Sequence, residues 1–372
     1  MTPLRIALVH PYRWPEVRRG AERYLEDLAL YLSGAGHQVD VVTGTSGRSS
    51  WSTVHGTGKW VRRHVWAVPG STRLGLGEVE VFGLAAVRPL VASRYDVVHG
   101  LTPTAALAGW VARRPTLYTV LGHPHRHQIP RAGAQRLAFT SAVRRSAMVA
   151  VLSEASAKAL HDELGRRAEV LPPGIRLEQF APDLAPRLGP PRVLFSASLS
   201  DRRKRADLAV AAFGRLLEHH PEARLSLSGE GDVAWALPER SVGAERLRAA
   251  IDLPGVGDPG QQPERYRQAT VTLLPSEHEA FGLALVESLA CGTPVVCTPS
   301  GGMPEIAGAP GVGVVAESAE PAALADALRR AVDLARDPAT PGRCVAQARR
   351  WSWDEVGPRH EALYRRLARR SC

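Results

Sequence analysis

The chain has 372 residues, 44% of them hydrophobic and 23% charged, and a formal net charge of +10. That length is ample for two domains of ordinary size, and the composition is globular rather than disordered or fibrous. No apolar run reaches the roughly 18–20 residues needed to span a bilayer. The basic residues are dispersed, with no zinc-finger, RRM-like or aromatic-interleaved basic motif, so nucleic acid is not an expected partner.

In chain order, MTPLRIALVH leads straight into an apolar run without a basic region or cleavage site, so no signal peptide is expected. Leu4–Val9 reads as a strand, Ala21–Leu32 as an amphipathic helix and Gln38–Thr43 as a strand. Asp96–His99, Thr116–Val120 and Met148–Leu152 read as further strands. Leu171–Pro191 holds six prolines and little periodicity, which marks a linker. The second half repeats the rhythm: strand Val193–Ser196, helix Ala206–Leu217, strand Arg224–Ser228, strand Val271–Leu274, helix Leu283–Cys291, strand Pro294–Thr298 and a helix from about Ala322 to Ala335. From Trp351 onward Trp353, Val356, Leu363, Tyr364 and Leu367 fall at near-helical spacing.

Strands alternating with helices imply parallel sheets covered on both faces. The expected fold is α/β, with two Rossmann-like doubly wound domains facing a central cleft. The expected boundaries are residues 1–172 and 173–352, with a terminal helix over about 353–372 able to pack back on the first domain. Ligands of such sheets bind outside the carboxyl ends of the strands. The GxGxxG of a dehydrogenase is missing after the first strand; Gly75-Leu-Gly77 and Gly229-Glu-Gly231 read as turns.

Of the 47 basic residues only Lys59, Lys158 and Lys204 are lysine. This usage points to a GC-rich bacterial genome and a solvated basic surface, with peripheral membrane contact compatible. Cys291, Cys297, Cys344 and Cys372 form no CxxC pair, as in a reduced cytoplasmic protein.

The stretch PSEHEAFGLALVESLACGTPVV, residues 275–296, carries the most chemistry. It follows a buried strand, offers Glu279, turns at Phe281-Gly282, enters a helix bearing Glu287 and returns to a strand. Free N–H groups and the helix dipole at Phe281–Leu283 favour an anion such as phosphate, and the glycine lets backbone approach a ligand closely. With about 1.5 Å of rise per helical residue, the two carboxylates are expected roughly 8–12 Å apart. That spacing suits the two ends of one extended ligand, with hydroxyls at each end and phosphates between.

Glu279-AFGLALV-Glu287 resembles the Glu-x7-Glu signature of the retaining family 4 glycosyltransferases (glycosyl transferases group 1), which have the GT-B fold. The resemblance extends over nearly the whole chain. RGAERYLEDLALYLSGAGHQVDVVT, residues 19–43, is similar to the family's glycine loop, first helix and second strand. DVVHG and TVLGHP resemble its next strand ends, VLPPGI its hinge, RKRADLAVAAF its lysine loop and SGGMPEI its later glycine loop.

The resemblance implies roles at the matching positions. Residues 1–172 would be the acceptor side and 173–352 the donor side. Glu287 would bind the ribose hydroxyls of a nucleotide sugar and Glu279 the hydroxyls of the sugar to be transferred. Backbone N–H groups of Phe281, Gly282 and Leu283 would meet the sugar and diphosphate, and Lys204 would neutralise the leaving diphosphate. Gly20 would let a loop close over the donor phosphates, and His123 would lie at the reaction centre. Three positions depart from the pattern. Arg19-Gly20 replaces paired glycines; Ser198 replaces an arginine, for which Arg202 or Arg203 is the alternative cation; and Arg205 replaces the glycine after the lysine.

The implied catalytic residues are thus His123, Glu279 and Lys204, and the implied donor-binding residues Gly20, Ser198, Arg203, Lys204, Glu279, Phe281, Gly282, Leu283 and Glu287. The donor would be a UDP- or GDP-sugar, and transfer would retain anomeric configuration. No metal or other cofactor is expected: His123, His125 and His127 recur every second residue, but Pro124 interrupts them and no Asp, Glu or Cys joins them. His99 reads as a structural strand-end residue. Arg13, Trp14, Arg18 and Arg19 lend the acceptor side a basic, aromatic character, which suits a small metabolite of a natural-product pathway, a lipid or an envelope glycan. Alternative readings are a non-catalytic nucleotide-sugar-binding subunit and a GT-B hydrolase or epimerase of the nucleotide sugar.

Overall fold

The computed structural model describes residues 2–17, 19–45, 50–54, 58–64, 77–126, 129, 133–238 and 242–369. The chain divides into two compact units, Met1–Gly174 with Trp353–Cys372, and Ile175–Ser352.

The first unit runs β1 (Arg5–Val9), α1 (Gly20–Gly34), β2 (Gln38–Thr45), β3 (Trp51–Val54), β4 (Gly58–His64), α2 (Glu78–Ala92), β5 (Val97–Gly100), α3 (Pro103–Val111), β6 (Thr116–Val120), α4 (Gly133–Arg145), β7 (Met148–Val151), α5 (Glu154–Leu164) and β8 (Glu169–Val170). Its sheet has the order β3-β4-β2-β1-β5-β6-β7-β8. Every neighbour pair is parallel except β3–β4, which is antiparallel. That hairpin departs from the all-parallel expectation. Its sequence lacks the continuous apolar run that marks a doubly covered strand, as befits a sheet edge.

Alternation along β1 shows how both faces fill. Ile6 and Leu8 pack with Leu25, Leu28 and Leu32 of α1, whereas Ala7 and Val9 pack with Phe82, Ala86 and Leu90 of α2. Side chains two apart share a face of a strand, and a helix lies on each face.

The second unit runs β9 (Arg192–Ser196), a short 3₁₀ turn (Arg202–Lys204), α6 (Ala206–His219), β10 (Arg224–Ser228), α7 (Val242–Ala249), β11 (Ile251–Asp252), α8 (Gln262–Gln268), β12 (Val271–Leu274), α9 (Leu283–Ala290), β13 (Val295–Cys297), α10 (Met303–Ala307), β14 (Gly313–Val315), α11 (Pro321–Arg336) and α12 (Thr340–Arg349). Its parallel sheet has the order β11-β10-β9-β12-β13-β14. Val193 and Phe195 of β9 and Leu225 and Leu227 of β10 pack against Phe213 and Leu216 of α6, with Leu328 and Val332 of α11 in the same cluster.

The proline-rich segment corrects the linker expectation. The division between the units falls near its start, at Gly174, and the rest of it is packed into the second unit. Phe180 is buried beside Tyr266, Asp183 N–H donates to the Cys291 carbonyl at 3.2 Å, and Arg187 N–H donates to the Ala335 carbonyl at 2.9 Å. Aperiodic sequence here reflects docking through backbone hydrogen bonds, which leave no hydrophobic period.

The last helix, α13 (Trp353–Arg369), belongs to the first unit. Leu363, Tyr364 and Leu367 join the cluster beneath β1 and α1. Cys291, Cys297 and Cys344 are buried free thiols, each pushed up to about 12 chiefly by burial; Cys372 lies outside the described residues. Among the described residues, no helix is long and apolar enough to cross a membrane.

Candidate functional site

In the second unit, β9 and β12 are parallel neighbours from which the chain departs in opposite directions. Strands β10 and β11 lie beyond β9, and β13 and β14 lie beyond β12. Such a switch point leaves the loops after the two strands diverging, with a crevice at their carboxyl ends. Lys204 comes from the loop after β9 and Glu279 from the loop after β12, and the two form an ion pair. The backbone joins the same loops, Glu277 N–H donating to the Arg203 carbonyl at 2.7 Å.

The remaining cations around Lys204 are committed to local carboxylates or rings. Arg203 pairs with Asp201 at 2.6 Å and is exposed; Arg202 lies 5.0 Å above the Trp235 ring; Arg205 pairs with Asp207 and Glu277. Ser198 is exposed on the same loop. Arg205 has φ 54° and ψ 51°, the left-handed conformation that glycine adopts at little cost. The family's glycine after the lysine therefore has a conformational reason, and here the two ion pairs of Arg205 hold a conformation its Cβ disfavours.

The Glu279 loop is braced by the turn that follows β13. Gly302 N–H donates to the Glu279 carbonyl at 2.9 Å, and His278 N–H donates to Ser300 Oγ at 2.8 Å. Phe281 is buried, its ring edge-on to Trp351 at 6.1 Å. Gly282 caps α9 with φ 104°, and Leu283 starts the helix, whose first N–H groups have no carbonyl inside it to bond. Glu287 sits one turn on, 6% exposed, and accepts a hydrogen bond from the Tyr266 hydroxyl at 2.8 Å. Burial, together with the Glu287 charge, holds the Tyr266 pKa well above its ordinary value, so the phenol keeps its proton. Tyr266 carries no sequence signal; only the packing of α8 on α9 brings it there.

In the first unit the corresponding switch point lies between β1 and β5. Gly20 opens α1 after β1, is exposed, and has no heavy atom within 4 Å of the place a Cβ would take. The local fold thus leaves the space above Gly20 open. Arg13, Trp14 and Arg19 lie on this loop; Arg18 lies outside the described residues. His123 follows β6, is 8% exposed and has Nδ1 3.0 Å from Ser156 Oγ. Ser156 in turn accepts from the hydroxyl of Ser153, the cap of α5, at 3.0 Å. The His125 ring stacks beside His123 at 6.4 Å, while His127 lies outside the described residues. Among the described residues, no group of three or more His, Cys, Asp or Glu is placed to hold a metal ion. His99 is fully buried, bonded to the Tyr364 hydroxyl at 2.8 Å and to Thr119 at 2.7 Å, which is a structural position.

Two doubly wound units of this kind, with a lysine and two glutamates around a switch point, define a glycosyltransferase of the GT-B type. Residues 178–351 match the family model "Glycosyl transferases group 1", and residues 18–179 match "Glycosyltransferase Family 4". The chain belongs to the family 4 glycosyltransferases. It is 28% identical to a D-inositol 3-phosphate glycosyltransferase of Nocardioides sp. over 390 residues, 93% of this chain and 85% of the relative. Among solved structures, sucrose-phosphate synthase from Thermosynechococcus elongatus has a TM-score of 0.78 at 24% identity, over 98% of this chain and 99% of that one. Anabaena HepE in complex with UDP-glucose has a TM-score of 0.73 at 19% identity, over 97% and 99%.

Proposed function

We propose that the protein transfers a sugar from a UDP- or GDP-sugar to an acceptor hydroxyl with retention of configuration. The observation that carries the donor reading is the Lys204–Glu279 pair across the β9/β12 switch point, with Glu287 buried one turn into the adjoining helix. In this reading Glu287 holds the ribose, Glu279 the transferred sugar, and the N–H groups of Phe281, Gly282 and Leu283 the sugar and diphosphate. Lys204 exchanges its Glu279 partner for the leaving diphosphate, where a fixed cation stabilises developing charge. Ser198 and Arg203 border the diphosphate, and Gly20 leaves room for a phosphate to approach α1. No metal is assigned a part.

Retention rests on the family resemblance. The acceptor oxygen attacks the anomeric carbon from the face the diphosphate leaves, the C–O bond to diphosphate breaks as the new C–O bond forms, and the departing phosphate oxygen takes the acceptor proton. In the same reading, on the family resemblance, His123 serves the reaction centre. HepE is seen with UDP-glucose, which supports a UDP-sugar as the first donor to test.

Calorimetry with a panel of UDP- and GDP-sugars tests the donor site. At least one is expected to bind, and Glu287→Ala is expected to weaken it by about tenfold or more, the loss of one charge-assisted hydrogen bond. Binding by none of the panel, or unchanged binding in a folded Glu287→Ala variant, overturns the reading.

A further inference from the structure

The first unit contains a pocket of about 290 Å³ outside the carboxyl ends of β5 and β6, with His123 in its wall. Its floor is apolar. Tyr118 and Val120 of β6 meet Ile129 and Phe139 there, and the Tyr118 and Phe139 rings stand edge-on at 6.3 Å. The two threonines of the wall are committed to the fold: Thr102 accepts the Ala105 N–H at 3.3 Å, and Thr104 donates to the Val79 carbonyl at 2.7 Å.

Two features decide what such a pocket can hold. The charged side chain among its described lining residues is an acid, Glu80, and none of those residues is arginine or lysine, in a chain with 47 of them. Glu80 is anchored there, its carboxylate accepting the Gly77 N–H at 2.7 Å. Among the described lining residues a phosphate entering this space would meet a carboxylate and no cation, with part of its hydration lost. Conversely, Tyr118, 2% exposed, offers the pocket a phenol set in an apolar wall. Burial raises its pKa, so it remains a donor.

We propose that this pocket takes the acceptor, and that the acceptor is an uncharged, largely apolar alcohol of about one fused ring system, its ring on Tyr118 and Phe139 and its hydroxyl toward His123. The volume lies at the small end of ligand sites. The inference rests on the reading of the chain as a glycosyltransferase with its acceptor in the first unit, and it narrows the acceptor class. D-inositol 3-phosphate, named for the Nocardioides relative, is by contrast an anion.

The test uses the full chain without donor, titrated separately with 2-naphthol and with inositol 1-phosphate. Saturable 2-naphthol binding that added salt leaves unchanged is expected, with no measurable inositol phosphate binding. Ala138→Phe, which fills the pocket from α4, is expected to weaken 2-naphthol about tenfold with the thermal midpoint preserved. Glu80→Arg is expected to admit the inositol phosphate. Absence of saturable 2-naphthol binding, tighter binding of inositol phosphate by the native chain, or 2-naphthol affinity untouched by Ala138→Phe overturns the proposal. Nucleotide-sugar binding is read in its own titration. If it is absent while 2-naphthol binds, the donor reading falls and the pocket assignment stands; if it is present while 2-naphthol fails, the reverse holds.

Discussion

A Cβ built on Gly301 would lie 1.9 Å from the Glu279 carbonyl oxygen, and Gly301 itself has φ 61°. Both the close approach and the left-handed backbone exclude a side chain. Gly301→Ala is therefore expected to cost about 1–3 kcal/mol of stability and to push the Glu279 loop off its brace. Urea unfolding, together with nucleotide-sugar titration, checks both; an unchanged affinity in the variant would show that the brace does not position Glu279. At this scale much was legible in advance. Glu279, Lys204 and Glu287 stand out in sequence because a strand, a glycine turn and a helix arrive in the right order around them. Tyr266 was not legible, because it lies 21 residues from Glu287 and reaches it only when α8 packs beside α9. Nor was the Lys204–Glu279 pairing, since their separation of 75 positions is closed up by the parallel pairing of β9 with β12. The conformation of Arg205 was legible only as a departure from glycine; the φ angle supplies the reason.

At the scale of elements, α13 is the clearest case. Trp353 at its start stacks on Tyr24 at 6.4 Å and on Tyr31 at 5.4 Å, and lies where a Cβ on Gly174 would come within 2.5 Å of its ring. Further along, the His360 ring nitrogen meets the Tyr24 hydroxyl at 2.8 Å, Tyr31 donates to Glu361 at 2.9 Å, and Tyr364 reaches His99. The helix thus closes over α1 as part of the first unit's core. Trp353→Ala is expected to destabilise that unit by about 3–5 kcal/mol, read as a lower urea midpoint for its unfolding; a change under 1 kcal/mol, within the range of ordinary surface substitutions, would assign the helix a peripheral role. Helix periodicity announced α13, whereas its partner was open, because an amphipathic stripe fits any apolar face of the right width. The β3–β4 hairpin escaped the sequence reading for the opposite reason: an edge pair needs no strong apolar run.

For the molecule as a whole, the balance of buried titratable groups sets the response to acid. Burial, the leading cause at each site, lowers His10 and His360 from 6.5 to about 4 and His99 well below 6.5. Around His360 stand the Tyr24 and Tyr364 phenols, the Trp353 ring and the Val356 carbonyl, none of which supplies a negative charge. As pH falls below 6.5 the unfolded chain takes up protons that the folded chain refuses. The stability these histidines contribute is therefore complete above pH 6.5 and is lost on the way down to about 4, at about 1.4 kcal/mol per pH unit for each fully neutral group. Glu22, raised by burial, acts in the opposite direction as it takes up its own proton. Urea unfolding of the first unit at pH 7 and pH 5 is expected to give the lower midpoint at pH 5; an equal or higher midpoint would show that these histidines are protonated in the folded state.

Alternation of apolar strands and helices, read from sequence alone, determined two parallel α/β units, because the side-chain periods of 2 and 3.6 are local properties of the chain. The Glu279–Glu287 segment pointed to an extended ligand with a phosphate, and its resemblance, together with motifs along nearly the whole chain, to the family 4 glycosyltransferases gave the class of enzyme. Tertiary structure decided what depends on distant parts of the chain meeting. It paired Lys204 with Glu279, placed Tyr266 on Glu287, committed the proline-rich segment to the second unit and α13 to the first, and set rings and one acid, with no arginine, among the described lining residues of the pocket beside His123. Those outcomes follow from sheet order and helix packing, which no local pattern encodes.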